Sequence, residues 1–397
     1  MDKRTDSLNV VHHMNDFKSI LSYATNIGFF LGAGTSCAFG LPSMKQLTDQ
    51  VRSSLSTSSK LQPLFEGAEQ SVKDLTGKDP ITLEDILTYL REVRELTRGQ
   101  ERFQFNRLNG VQAKDLDQGI CAEIFKVIKE ASQSADIVSL RRFLTWYESA
   151  NRGFLKEIYT TNYDMLLEMA MEANYTPYFD GFVGSYEPFF SPESIETFPG
   201  ENDSMSRWIR LWKIHGSLNW TKESIAYDTS KRIIRTGHVE EPKNELMIYP
   251  SREKYNLSRK EPYVAYFDRL KKYLNRGELV FIVSGYSFLD EHINEIIYNA
   301  LRNNNRLYVM VLCYEDEQVG RMLPCATSLA NLCVAGPQTV ITNGEHKKWE
   351  NGGAGDKGVE TYWKDGRFAL GDFRSLIDFL VENSGRKRVI EEKVNAK

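Results

Sequence analysis

Four short segments of this 397-residue chain place hydroxyl, amide, carboxylate and imidazole groups directly after apolar runs. In the first, Asn26-Ile27-Gly28-Phe29-Phe30-Leu31-Gly32-Ala33-Gly34-Thr35-Ser36, an apolar strand leads straight into Gly-x-Gly. Without a Cβ, Gly32 and Gly34 can take left-handed backbone angles and let a pyrophosphate approach main-chain N–H groups, while Thr35 and Ser36 add hydroxyl donors. The same pattern also serves as plain turn chemistry. The second segment, Ile158-Tyr159-Thr160-Thr161-Asn162-Tyr163-Asp164, sets Asn162 and Asp164 just beyond a strand, where they either line a ligand or cap the next helix. The third, Trp212-Lys213-Ile214-His215-Gly216-Ser217, offers an imidazole suited to accepting a proton, or an ordinary turn histidine. Phe281-Ile282-Val283-Ser284-Gly285-Tyr286-Ser287 supplies a second glycine turn with flanking hydroxyls. Each segment alone is ambiguous, but four of them on four strands at one sheet edge are hard to attribute to capping preference. In open parallel sheets that edge, at the strands' carboxyl ends, is where ligands sit.

The elements that must carry these segments follow from hydrophobic period. Val10 to Ala24 reads as a helix and Ile27 to Leu31 as a buried strand, and Ser43-Met44-Lys45-Gln46 has capping-box spacing for the next helix. From Val51 to Ala150 the pattern is mostly helical. Thr82-Leu83-Glu84-Asp85 starts a helix with Leu83, Ile86, Leu87, Leu90 and Val93 on one face, and a further helical stretch covers Gly119 to Ala150 with a break near Ser132-Gln133-Ser134. A block this long exceeds a simple crossover and predicts an inserted helical module. Strands follow at Leu155 to Thr161, Trp208 to His215, Leu246 to Tyr249, Leu279 to Ser284 and Leu307 to Cys313, with helices at Met165 to Ala173, Tyr263 to Leu274 and Glu291 to Asn303. Uniformly apolar strands separated by helices predict an α/β fold, a Rossmann-like parallel sheet covered by helices on both faces. We divide the chain into a catalytic domain over residues 1–313, with the helical insertion at about 51–150, and a C-terminal extension over 314–397. That extension carries a Gly-rich turn at Asn351-Gly352-Gly353-Ala354-Gly355, an amphipathic helix from Phe373 to Glu382, and a charged, frayed end from Gly385 to Lys397.

Composition narrows the function classes. With 41% hydrophobic residues, 26% charged residues and a formal charge of −4, the chain has the make-up of a soluble protein and no global nucleic-acid-binding surface. No apolar run approaches bilayer length and no signal-peptide pattern opens the chain, so a cytoplasmic location is expected and a membrane is not. The five cysteines are irregularly spaced with no C-x-x-C pair, which supports neither a disulfide framework nor a four-cysteine zinc site, and no metal is expected. Cys37, beside the glycine loop, reads as a small packed residue in preference to a reactive thiol.

The order G-A-G-x-S, T-x-N-x-D, H-G and G-x-S over Ile27 to Cys313 resembles the sirtuin family of NAD-consuming enzymes. It is most similar to the bacterial antiviral-defence branch, in which NAD is hydrolysed; Thr82 to Leu90 and Ile248-Tyr249-Pro250-Ser251 look similar to segments of that branch. The resemblance implies NAD as substrate. It implies that Gly32, Ala33, Gly34 and Ser36 hold its phosphates, with Thr35 and Thr161 counted among the dinucleotide-binding residues, and that Asp164 bonds the nicotinamide carboxamide. Asn162 would position water near the nicotinamide ribose, His215 would act on ribose hydroxyls or as a general base, and Gly285 with Ser287 would line the adenosine side. Cleavage of the ribose–nicotinamide bond passes through an oxocarbenium-like state, which asks the protein to hold the ribose and aim one polarised water. The chain departs from deacylating sirtuins in having no cysteine between Cys121 and Cys313, where their zinc module stands, and in reading Gly40-Leu41-Pro42-Ser43-Met44-Lys45 where they read G-I-P-D-F-R. The expectation is therefore a NAD glycohydrolase that depletes NAD in antiphage defence, as a homo-oligomer paired with a HerA-type ATPase. The alternatives are a zinc-free deacylase or ADP-ribosyltransferase, and a regulatory module that binds NAD or ADP-ribose without turnover.

Overall fold

The computed structural model describes residues 7–149, 156–197, 208–224, 231–237, 261–350 and 358–395. Its principal sheet has ten strands: β1 (Ser7–Asn9), β2 (Ile27–Leu31), β3 (Lys156–Thr160), β4 (Tyr178–Phe179), β5 (Ile209–Lys213), β6 (Leu279–Ser284), β7 (Leu307–Leu312), β8 (Leu332–Ala335), β9 (Thr339–Thr342) and β10 (Glu345–Glu350). They lie in the order β1-β10-β9-β8-β7-β6-β2-β3-β5-β4. All neighbours pair parallel except β9, which runs against β8 and β10. The apolar runs thus form a Rossmann-type sheet, buried on both faces: Phe29, Leu31, Val280 and Ile282 join one core cluster, and Phe30, Phe281 and Val283 the other.

Chain connectivity makes β2 the pivot. From β2 the chain passes through the helices to β3 on one side, and later returns to β6 on the other, which places a topological switch point beside β2. Register sharpens this, because Ser284, Leu31, Thr160 and Lys213 pair in one row across β6, β2, β3 and β5. The row continues one residue on, with Gly32 N–H donating to Ser284 O (2.9 Å), Thr161 N–H to Leu31 O (3.2 Å) and Ile214 N–H to Thr160 O (2.9 Å). All four segments therefore leave the sheet at the same level.

Helices Met44–Leu55, Leu61–Thr76, Leu83–Leu96 and Gly110–Ser134 pack on one another as a module between β2 and β3. Within this stretch a two-stranded hairpin, Gln104–Phe105 with Leu108–Asn109, interrupts the expected helix. Helix Val138–Ser149 instead covers the sheet: Phe143 and Tyr147 meet Phe29 edge-on at 4.9 and 5.1 Å, and Tyr147 donates to Ile27 O at 2.7 Å. A second sheet is built antiparallel from Trp220–Ser224, Lys231–Arg235, Phe189–Phe190 and Phe182–Val183, two strands after the His215 turn and two before β5. It is held by aromatic packing, with Phe182 5.0 Å from Trp220 and Phe190 5.6 Å from Tyr266, and by the Arg235–Asp180 pair at 2.7 Å.

Three expectations change. The tail does not fray along its length: helix Lys387–Asn395 buries Ile390 and Val394 and ties down through Arg142–Glu391 at 2.7 Å and Lys393–Glu148 at 2.6 Å. Beyond Cys313 the chain continues the same sheet through helix Asp316–Ala326 and β8 to β10. Ser7–Asn9, unassigned from sequence, pairs with β10. The strand expected at Leu246 to Tyr249 and the turn at Asn351 to Gly355 lie outside the described residues.

Candidate active site

The two glycine turns meet back to back. Gly34 N–H donates to Gly285 O at 2.9 Å and Thr35 N–H to Gly32 O at 2.9 Å. A Cβ on Gly32 would stand 2.4 Å from Gly285 O, and one on Gly285, whose φ is +65°, would stand 2.4 Å from Thr35 N. These glycines are therefore required by the contact between the turns, and the amides of Gly32, Gly34 and Thr35 are engaged within the protein. Ala33 opens the five-residue helix Ala33–Cys37 that follows.

Side chains of this turn join those after β3. Asn162 Nδ2 donates to Thr35 Oγ1 at 3.1 Å and to Ser36 Oγ at 2.8 Å, while Thr35 Oγ1 gives its own proton to Gly32 O (2.8 Å) and Ser36 Oγ gives its own to Asp164 Oδ2 (2.6 Å). Both hydroxyls thus offer Asn162 only lone pairs, which fixes the amide orientation. Asn162 N–H is held by Thr160 Oγ1 at 3.0 Å, and Asp164 Oδ1 accepts Leu166 N–H at 3.1 Å. The remaining atom, Asn162 Oδ1, is buried and has no partner among the described residues, although Asn162 is only 8% exposed. A buried acceptor left in this state costs about 1–3 kcal/mol, so a ligand or water is the natural partner.

Across the same edge His215 follows β5, and its Nε2 lies 3.1 Å from Asp290 Oδ2. Asp290 Oδ1 caps helix Glu291–Asn303 by accepting His292 N–H at 3.1 Å and Ile293 N–H at 3.4 Å. A carboxylate only accepts, so Nε2 carries the proton of this contact. Because β5 and β6 flank β2 and β3, the His215–Asp290 contact joins segments that leave the sheet on either side of the β2 and β3 ends, the latter carrying Asn162. Burial, and then the nearby Asp164, push the Cys37 thiol up, so it stays protonated and packed. Burial, then Asp164 and Glu84, push the Tyr163 hydroxyl up as well.

Of the residues expected from sequence, Thr35, Ser36, Asn162 and Asp164 form one hydrogen-bonded cluster. Gly32, Gly34 and Gly285 form the turn contact below it. Thr161 bonds into the strand row, and Ser287 is exposed beyond Tyr286. Asp290 escaped sequence reading: Leu289-Asp290-Glu291-His292 signals a helix cap and nothing more, and only the folded sheet brings it to His215. Among the described residues no group of three or more His, Cys, Asp or Glu could hold a metal ion. No described helix is long and apolar enough to cross a membrane.

A family model described as a SIR2-like domain matches residues 156–324, and that part of the chain is similar to it. The matched segment contains Asn162, Asp164, His215, Gly285, Ser287 and Asp290, while the Gly32 turn precedes it. A solved structure described as the crystal structure of a Sir2 homolog–NAD complex aligns over 96% of this chain and 95% of that one, at 12% identity and a TM-score of 0.39. No curated protein matches.

Proposed function

We propose that the chain binds NAD at this edge and hydrolyses the bond between ribose and nicotinamide, giving nicotinamide and ADP-ribose. The observation that carries the reading is the buried, unpartnered Asn162 Oδ1, its amide fixed by two hydroxyls on Nδ2, at the same sheet edge as the His215–Asp290 pair. An amide oxygen fixed in this way can accept a hydrogen bond from water or from a ribose hydroxyl without competing as a nucleophile, and the His215 imidazole can take up the proton that hydrolysis releases. The SIR2-like match over residues 156–324 supports the substrate class. On this reading the protein is a NAD-depleting effector of antiphage defence, a homo-oligomer restrained together with a HerA-type ATPase.

The test is chromatographic product analysis of the purified protein with NAD, with and without an acylated peptide, alongside Asn162→Ala and His215→Ala. Nicotinamide with free ADP-ribose, formed without peptide and reduced about 100-fold or more by either substitution, is the expected result. Turnover only with peptide would make it a deacylase or transferase, and binding without product, with the ATPase also present, would make it a binding module. Phage survival with and without the ATPase gene tests the partnership, and light scattering the oligomer.

A further inference from the structure

Lys213 ends β5 with its side chain 2% exposed, in the same row as the apolar Leu31. Its ammonium donates to Asp164 O at 2.5 Å, Glu168 Oε1 at 2.8 Å and Ser217 Oγ at 2.8 Å, three oxygens for three protons, and also lies 3.9 Å from Met165 Sδ. Asp164 lies in the loop that carries Asn162. Ser217 lies in the turn that carries His215, two residues past it, and its hydroxyl also rests 3.3 Å from Met165 Sδ. Glu168 sits in the first turn of helix Leu166–Ala173, which opens directly after that loop.

A buried ion pair roughly breaks even against apolar residues of similar volume, so stability does not explain a lysine and a glutamate here. Burial pushes the Glu168 carboxyl up while Lys213 pulls it back, and Glu168 Oε2 is buried with no partner among the described residues. What the pair does achieve is geometric: together with Ser217 Oγ on Met165 Sδ and Leu218 N–H donating to Tyr163 O at 2.9 Å, it ties the loop of Asn162 to the turn of His215, and Lys213 is the charged centre of that tie.

We propose that Lys213 is a positioning residue, clamping the loop of Asn162 to the turn of His215 so that the two groups hold a fixed separation. The proposal rests on the roles given above to Asn162 and His215. Lys213→Met alone strands the Glu168 charge, so the informative variant is Lys213→Met/Glu168→Gln, which removes both charges, compared with Glu168→Gln and the unaltered chain. Three quantities are read: melting temperature, kcat and KM for NAD hydrolysis, and the downfield proton resonance of His215 Nε2–H, assigned by its absence in His215→Gln. The double variant is expected to melt near the unaltered protein, to lose about 100-fold in kcat with KM within about threefold, and to shift or lose the His215 resonance. A double variant with unaltered kcat and unaltered resonance overturns the clamp. If the unaltered chain does not cleave NAD, the functional reading fails by itself, and the His215 resonance alone then decides the clamp.

Discussion

At the scale of single residues, the site depends on which atoms have already spent their protons. Ser36 both donates to Asp164 and accepts from Asn162, so Ser36→Ala removes a partner from a buried carboxylate and frees the Asn162 amide to turn. We expect it to lower kcat for NAD cleavage at least tenfold and to cost about 1–3 kcal/mol in urea unfolding. Asp290→Asn keeps the cap on its helix but can donate to His215 Nε2, which moves the ring proton to the wrong nitrogen. A fall of about 100-fold or more in kcat with little change in melting temperature is expected, and unaltered kcat would remove Asp290 from the mechanism. Asn162, Ser36, Asp164 and His215 were legible in the sequence because each stands just after an apolar strand. Asp290 and Lys213 were not: the first reads as a cap and the second as the end of a strand, and their roles exist only through contacts between distant segments.

At the scale of elements, the two glycine turns form one joint. Gly285→Ala must place a methyl 2.4 Å from Thr35 N at a φ of +65°, so the turns must separate. A loss of about 1–3 kcal/mol or more is expected, read as a lower urea midpoint, together with weakened NAD binding. The helices named from sequence and the strands β2, β3, β5, β6 and β7 were readable from period and caps, whereas β1, β4, the hairpin and the second sheet were not; the capping box at Ser43 forms as its spacing predicts, and Thr82 caps its helix. Beyond β7, helix Phe373–Glu382 forms where its pattern predicts, but the other elements were not readable. Helix Asp316–Ala326 contains Pro324, β10 reads Glu345-His346-Lys347-Lys348-Trp349-Glu350 with half its residues exposed, and the tail helix shows only Ile390 and Val394 amid charge. Propensity in each case argued for a loop, and tertiary pairing overruled it.

At the scale of the whole molecule, buried charge ties the sheet to its helices. Glu157 on β3 accepts from Tyr159 and Trp212, both at 2.7 Å, and from Arg269 on helix Tyr263–Leu274. Burial is the largest influence and alone would raise its carboxyl, but Arg269, Tyr159 and Arg210 together outweigh it and hold the group below the usual 4.5. A depressed carboxylate stabilises the fold above its unfolded value, and that stability is lost as pH falls through the folded value. Urea midpoints of the unaltered chain should therefore fall below about pH 4.5 more steeply than those of Glu157→Gln, which starts about 3–5 kcal/mol lower at neutral pH because Arg269 is left unpaired. Ending the chain before Lys387 should lower the melting temperature, through loss of Ile390, Val394 and the Arg142–Glu391 pair, while NAD cleavage persists.

The long reach of the sheet also sets a timetable for synthesis. β1 precedes the other described strands, yet the strand it pairs with among the described residues, β10, is made long after it, and the Gly32 turn waits until residue 285 exists to pack against it. At roughly 5–20 residues per second, the nascent chain spends on the order of tens of seconds with the halves of its site unjoined. The joint of the two glycine turns and the His215–Asp290 contact therefore form only after residue 290 has been made.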